Sequence, residues 1–376
     1  KNMKNLFRGQ TISLVTCGLI LSSTMSFGAD SIDAAFKEGK ASGSLALYGE
    51  KYDNKGGDKD TGFGNGNATI AFETGSFYGF SAKAEFKGNL QLGEVHSGNY
   101  DDAYENHSLM TEAYIKYATD GFSLTAGRQA IDLEWLGDYN EAVVAAITAI
   151  PDTTIVLGYT DKQAESGIDF SEDFEEITKD GAYVADIKYT GFQAVELNPY
   201  AYFAPDVASF YGLKATFTTD YFGGVLHYAF SDEDSDKYGA AEDGYIGHVE
   251  LNTEVVGVSA AAGYIKTDKD VGVGSIAAYG DNISPFDMGN RTYDPDARTV
   301  YGSLGYTIAD VELGALYGVT TYGSDDAKEK ELNLTASYPI TETLTASILY
   351  GDVDEDSSDT KYVDDKYVFA SVEYTF

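Results

Sequence analysis

From Ala41 to Phe376 the chain returns again and again to one pattern, short segments in which apolar and polar residues alternate. A strand sends successive side chains to opposite faces, so such a segment makes a two-faced strand. The closing segment shows it most plainly. Val368, Ala370, Val372, Tyr374 and Phe376 share one parity, while Phe369, Ser371, Glu373 and Thr375 share the other. Phe80, Ala82, Ala84 and Phe86 alternate in the same way with Ser81, Lys83, Glu85 and Lys87. Tyr211, Leu213, Ala215 and Phe217 alternate with Gly212, Lys214, Thr216 and Thr218. Strand centres fall near residues 47, 70, 84, 114, 125, 145, 157, 185, 197, 214, 226, 248, 261, 303, 315, 334, 347 and 371. That is about eighteen strands, an even number as in bacterial single-chain barrels. The count is sixteen if the segments near 145 and 197, which lack clean alternation, are not strands.

The connections alternate too. Short ones lie near 74–76, 119–121, 151–152, 190–191, 219–220, 253–254, 309–310 and 339–340. Long ones occupy 53–65, 94–107, 163–180, 231–243, 268–297, 323–330 and 352–365. Outer-membrane barrels have short periplasmic turns and longer external loops. Aromatic residues near the strand ends suit the girdles of such a barrel: Tyr48, Phe77, Tyr78, Tyr117, Phe122, Tyr159, Tyr189, Phe192, Tyr221, Tyr264, Tyr306, Tyr338 and Tyr350. With 41 Gly, 30 Tyr and 20 Phe against 6 Pro, the composition reads as all-β with tight turns. No apolar run after the leader reaches the ~20 residues of a spanning helix. A membrane location therefore requires a closed barrel, which pairs all its backbone groups internally. The expected fold is an all-β transmembrane antiparallel barrel, with short periplasmic turns and long acidic external loops.

Residues 1–28 read as a secretory signal: Lys1, Lys4 and Arg8, an apolar run from Ile12 to Leu21, then Ser26-Phe27-Gly28. Residues 29–376 then form one barrel domain. The only cysteine, Cys17, lies in the leader, so the remainder has no disulfide and no thiol nucleophile. The 61 acidic and 25 basic side chains, net charge −36, argue against a nucleic-acid partner, which needs a basic footprint.

The polar parities define an aqueous lumen, because a barrel this wide is not filled by its own side chains. Lys83, Glu85, Lys116 and Glu250 are expected to line the pore. Arg128, one of three arginines after the leader with Arg291 and Arg298, shares the parity of Phe122, Leu124 and Ala126. Either a bulge turns it into the lumen to pair with Asp132 or Glu134 at a constriction, or it forms a salt bridge at the rim. Carboxylates crowd the long connections, as at Glu165, Asp169, Glu172, Asp173, Glu175 and Glu176, and would favour cations at a pore mouth. Asp352, Asp354 and Asp356 place oxygen ligands at alternate positions, which suits Ca²⁺; a solvated charge run is the other reading. No further cofactor is expected. The segment 268–297, with Tyr279, Phe286, Met288 and Tyr293, is too apolar for a solvated loop and should fold into the lumen or onto a neighbouring subunit. His227 and His248 sit on neighbouring strands without a convincing nucleophile, so an enzyme is not expected.

The segment Gly127-Arg-Gln-Ala-Ile-Asp-Leu-Glu-Trp135 resembles a strand-to-loop segment of the Campylobacter-type major outer membrane porins and related Opr-family porins of epsilonproteobacteria. Asp33-Ala-Ala-Phe-Lys-Glu-Gly-Lys40, Asp294-Pro-Asp-Ala-Arg-Thr-Val-Tyr301 and the aromatic terminus are similar as well. The resemblance implies an eighteen-stranded, cation-preferring homotrimeric porin of the Gram-negative outer membrane, with a loop narrowing its pore. More remote OprD-like channels share the strand number but carry a basic ladder, which three arginines match poorly. The expected function is passive diffusion of ions and small hydrophilic solutes, with outer-membrane lipids and lipopolysaccharide as partners. The alternatives are a structural or adhesive surface barrel with a closed lumen, and a substrate-selective OprD-like channel.

Overall fold

The computed structural model describes residues 28–54, 59–234, 243–274, 282–356 and 364–376. The expected leader up to Phe27 with Cys17, together with Tyr279 and parts of the connections 53–65, 231–243, 268–297 and 352–365, lies outside the described residues. A short helix, α1 (Ile32–Lys37), precedes the first strand. Then β1 (Lys40–Asn54), β2 (Thr61–Glu73), β3 (Phe80–Glu94), helix α2 (Asn99–Ala103), β4 (Ser108–Thr119), β5 (Phe122–Ala130), β6 (Tyr139–Ile147) and β7 (Thr153–Ala164) follow. The two-residue strand β8 (Glu175–Glu176) pairs with Lys162 and Gln163 at the top of β7 and is not a wall strand. The wall continues through β9 (Ala182–Phe192), β10 (Val195–Ala204), β11 (Ala208–Thr218), β12 (Phe222–Glu233), β13 (Gly244–Val255) and β14 (Val258–Thr267). It ends with β15 (Arg298–Ile308), β16 (Val311–Tyr322), β17 (Ala327–Thr341), β18 (Leu344–Asp356) and β19 (Asp364–Thr375).

Each wall strand pairs antiparallel with the next, β7 directly with β9. The last strand returns to the first, from Ser44↔Thr375 to Asn54↔Asp365, so the sheet has no edge. Eighteen strands form this barrel, and all eighteen expected centres fall inside one of them. The segments near 145 and 197 are β6 and β10. Turns at one end are tight, and several use left-handed backbone: Asp152, Ala194, Val256 and Asp310 have φ between 53° and 66°. That geometry follows the twist of a short hairpin.

The alternation divides the faces as expected. Leu47, Ile70 and Leu304 are 59%, 61% and 62% exposed on the outside, which is the lipid side of a spanning barrel. Their neighbours Ala46, Tyr48, Ala71 and Tyr301 are buried inward. Tyr78, Phe122, Phe192, Tyr221, Tyr306 and Tyr338 are exposed near the short-turn end, where a girdle meets the interface. Tyr48 departs from the girdle expectation. It lies on the inner parity of β1, 4% exposed, and its hydroxyl donates to Glu50 at 3.0 Å.

Candidate pore and its constriction

The inner wall is polar, and its lysines lie on one half only. Lys83 and Lys87 on β3, Lys116 on β4, Lys188 on β9 and Lys214 on β11 take the inner parity of one half. The half from β12 to β19 carries Glu250, Glu312, Glu329, Glu331, Glu355 and Glu373 on its inner parity. Among the described residues no lysine or arginine of β12–β19 shares that parity. Glu85, Glu112, Asp186 and Glu196 share the lysine-bearing half, so that half is mixed, the other is acidic, and the field is asymmetric across the bore.

Loops fold into the external half of the lumen and leave the short-turn half to the wall itself. The β5–β6 connection, residues 131–138, continues inward as a hairpin closed by Ile131 N–H to Asp138 O at 2.8 Å and Leu133 N–H to Leu136 O at 2.9 Å. Its Ile131, Leu133, Trp135 and Leu136 are buried against Val144, Val184, Tyr200, Tyr202 and Phe210 of the wall. Trp135, 1% exposed, donates from Nε1 to the Tyr200 hydroxyl at 2.7 Å. Tyr200 lies 2.7 Å from His227 Nε2. On the other side of the ring, His227 Nδ1 lies 4.0 Å from Glu134 Oε2. Lys214 completes the group, its Nζ 2.6 Å from Glu134 Oε1.

The described parts of 268–297 also fold inward, one of the two outcomes expected of this segment. Ile283, Phe286 and Tyr293 join the same core as the hairpin. Gly318 carries no side chain where Phe286 lies; a Cβ there would stand 2.4 Å from the ring. Glu331 accepts the backbone N–H groups of Met288 and Gly289, both at 2.9 Å. Arg291 bridges Glu355 at 2.8 Å and Asp294 at 3.2 Å, and its guanidinium lies over Tyr322. Burial raises the Asp294 carboxyl above its usual range, and Arg291 offsets part of that shift. The two inward loops touch where Asn282 Nδ2 donates to Leu133 O at 2.8 Å.

A second apolar cluster lies on the opposite wall. Tyr100 of α2, Tyr104 just after it and Phe170 of the 165–181 loop pack on Tyr48, Tyr52, Phe63, Tyr367 and Phe369. The Tyr100 hydroxyl donates to Asn65, while Asn65 Nδ2 and the Tyr104 hydroxyl both reach Ile168 O. The inward loops are thus held by two packed clusters on different parts of the wall.

The residues expected at the pore separate into three groups. Lys83 contacts Glu112 and lies 3.5 Å from Glu85, whose Oε1 accepts from Thr111. Lys116 stands opposite Ser81 and Thr125 on the same face. Glu134 belongs to the Lys214–His227 group, and Asp132 is exposed on the same hairpin. Glu250 accepts from Tyr301 at 2.6 Å, so His248 Nε2, 2.8 Å from that hydroxyl, must donate to its oxygen. The two histidines weighed for catalysis are therefore each bonded to a lumenal tyrosine.

Two expectations need correction. Arg128 pairs with Glu141, not with Asp132 or Glu134; Nη2 lies 2.8 Å from Oε1, Nη1 donates to Met110 O, and Phe174 of an external loop covers the guanidinium. Glu141 is its register partner across β5–β6, and is nearer than any group on the hairpin tip. Asp352, Asp354 and Asp356 form no calcium site. They are successive same-face residues of β18, each ~7 Å from the next along a strand, and so cannot converge on one ion. Lys366 and Lys330 already pair with Asp352 and Asp354 at 3.0 and 3.3 Å. Among the described residues no group of three or more His, Cys, Asp or Glu side chains could hold a metal.

The sequence reading missed Trp135 as an anchor, the Tyr200–His227 and Tyr301–His248 pairs, and the entry of α2 and the 165–181 loop into the lumen. One signal was present: Tyr200, Tyr202 and Phe210 are aromatic on an inner parity that should be wet.

No protein-family profile and no curated protein matches the chain in sequence. Solved structures match its fold over nearly the whole length. Pseudomonas aeruginosa OccK3 (OpdO) superposes with TM-score 0.75 at 15% identity, covering 93% of this chain and 98% of that one. Acinetobacter baumannii OccAB2 gives 0.78 at 12% identity over 91% and 99%. Pseudomonas aeruginosa OpdK with vanillate gives 0.72 at 16% identity over 90% and 98%. The chain therefore has the fold of the OccK/OprD outer membrane porins of Gram-negative bacteria, a closed eighteen-stranded barrel.

Proposed function

We propose that the chain is a substrate-selective, OprD-like channel that passes small charged hydrophilic solutes passively across the outer membrane. The observation that carries this is an inner wall whose lysines, among the described residues, all lie on one half, opposite a half that bears only carboxylates, beneath loops that fold inward. A bare diffusion pore needs only a wet lumen. Here lysines on β3, β4, β9 and β11 face carboxylates on β13 and β16–β19, and the narrow part is fixed by side-chain anchors. The lysines answer the objection raised by the scarcity of arginine, because cationic groups line one half all the same.

The proposed preference has two parts. Inner-wall carboxylates outnumber lysines, so small cations should pass more readily than small anions. Solutes with a carboxylate can follow the lysine side, held off the opposite wall by its glutamates. The similarity of short segments to Campylobacter-type porins, and a trimeric assembly, stay compatible with this reading as further proposals.

Single-channel recording in a planar bilayer tests it. Stepwise ohmic conductance with a cation-biased reversal potential, reduced by millimolar small carboxylates, is the expected result. Conductance that no carboxylate alters would return the chain to a general diffusion porin. No conductance from correctly folded protein would favour a surface barrel whose lumen is closed by its loops.

A further inference from the structure

The outer surface at the short-turn end carries an element that the barrel wall does not need. Helix α1 is held against the β2–β3 turn by Gly75 N–H to Ala35 O at 2.8 Å, and the chain before it by Ala29 N–H to Ser76 O at 2.7 Å. Ser31 caps it by accepting from Ala34 N–H at 3.1 Å. Ala35 is buried against this seat. Ile32 and Phe36, one turn apart and so on one helix face, are 60% and 57% exposed. Asp33 and Lys37 occupy the next positions round the helix.

The exposed face is not isolated. Phe36 stacks on Phe72, with ring centroids 6.2 Å apart. Phe72 has the outward parity of Ile70, the lipid-facing side of β2. The Phe72 ring also lies over Gly39, where a Cβ would meet it at 2.3 Å. Phe376 and Tyr374 of β19 stack at 6.0 Å on the same outer surface, and Phe376 reaches Gly43 of the neighbouring β1. The apolar face of α1 thus continues the aromatic girdle of the short-turn end, and extends the membrane band beyond the strands.

We propose that α1 is an interfacial anchor whose Ile32 and Phe36 enter the inner leaflet of the outer membrane, at the boundary of headgroups and acyl chains. A lipid surface fits for three reasons. The face joins the established lipid-facing band without a polar break. Its two side chains are apolar or aromatic, the residue types that settle at such a boundary. The adjacent Asp33 and Lys37 can remain among headgroups. A protein partner would also cover an apolar face, but would shield it from lipid.

The test uses spin labels on the full chain in a Cys17→Ser background, which leaves no other cysteine. Single labels go at Ile32→Cys, Asp33→Cys, Phe36→Cys and Lys37→Cys, with Leu47→Cys as a reference in the band. Folding is checked by heat-modifiable mobility, and purified protein is placed in phosphatidylethanolamine–phosphatidylglycerol vesicles. Labels at 32 and 36 should be several-fold more accessible to oxygen than to a water-soluble nickel chelate, approaching Leu47→Cys, with the ratio reversed at 33 and 37. Equal nickel access at all four positions overturns the proposal. So does shielding of 32 and 36 from both reagents, which would mean burial against protein. If Phe36→Cys does not fold, Ile32→Cys decides the matter, because its side chain makes no ring contact within the barrel.

Discussion

Replacing Trp135 by alanine should release the 131–138 hairpin while leaving the barrel intact. A tryptophan buries about 150–250 Å². At ~25 cal/mol per Å² that corresponds to roughly 4–6 kcal/mol. Core Trp→Ala substitutions cost about 3–5 kcal/mol. The lower figure applies here because the hairpin undocks into lumenal water and no ladder hydrogen bond is lost. About 4 kcal/mol shifts the docking equilibrium roughly a thousandfold. Trp135→Phe keeps most of the ring area and loses the bond to Tyr200, so it should cost nearer 1 kcal/mol. Channel recordings should show larger or flickering conductance levels for Trp135→Ala and a mild form for Trp135→Phe, with unchanged heat-modifiable mobility. Trp135 is the only tryptophan, so its emission in the native chain should be blue-shifted and shielded from iodide. Conductance and noise identical to wild type in folded Trp135→Ala protein would refute the argument that this side chain holds the constriction.

Glu331→Ala should free the loop that Met288 and Gly289 attach to the wall. The two hydrogen bonds that hold the loop are lost, each worth about 1.5–3 kcal/mol, along with those from Asn333 and Tyr367 of the wall, and hydrogen exchange should rise most at residues 282–297. The attachment should also depend on pH. Asp294 is raised in the folded loop, so the loop gains stability as pH falls through that carboxyl's titration and loses it as pH rises. Protection of 282–297 measured between pH 7 and 5 should increase towards the acid side, and Asp294→Asn should flatten the trend; a trend of opposite sign would reject it. Gly127→Val places a Cβ 2.2 Å from Ala113 O at a φ of +123°, a strain of about 1–3 kcal/mol or more, and should lower the folded fraction on gels. Leu47→Arg, on the lipid side of β1, should cost about 2–4 kcal/mol in a folding titration into lipid if it lies at the bilayer midplane, whereas Thr125→Arg on the inner face should not.

The wall was legible in the sequence because a closed barrel imposes the same rule on every strand. Lipid demands an apolar outward parity, and water in the lumen permits a polar inward one. Where the rule blurred, in β6 and β10, the cause is physical. Ala142, Val144, Tyr200 and Tyr202 face inward onto the 131–138 hairpin and not onto water, so both faces of those strands are apolar. Failed alternation was therefore itself a sign of an inward loop. The pairings at the constriction were not legible. Glu134 meets Lys214 across 80 positions of chain, and Trp135 meets Tyr200 across 65. No periodicity encodes contacts so distant. Of the two readings of Arg128, the salt bridge holds and the lumenal pairing does not: parity gives a face, whereas its partner depended on the register of β5 against β6.

The Glu329–Glu331–Glu355 set has a consequence for what a permeating ion encounters. Backbone amides of Met288, Gly289 and Arg291, together with the Arg291 guanidinium, already occupy those oxygens. Carboxylates engaged in tethering are muted towards passers-by, so a tally of formal charges overstates the pull on potassium or sodium. The glutamates nearer the periplasm, Glu312 and Glu373, should dominate the measured permeability ratio. Discrimination would then be exerted downstream of the narrowest passage, after size has already been judged.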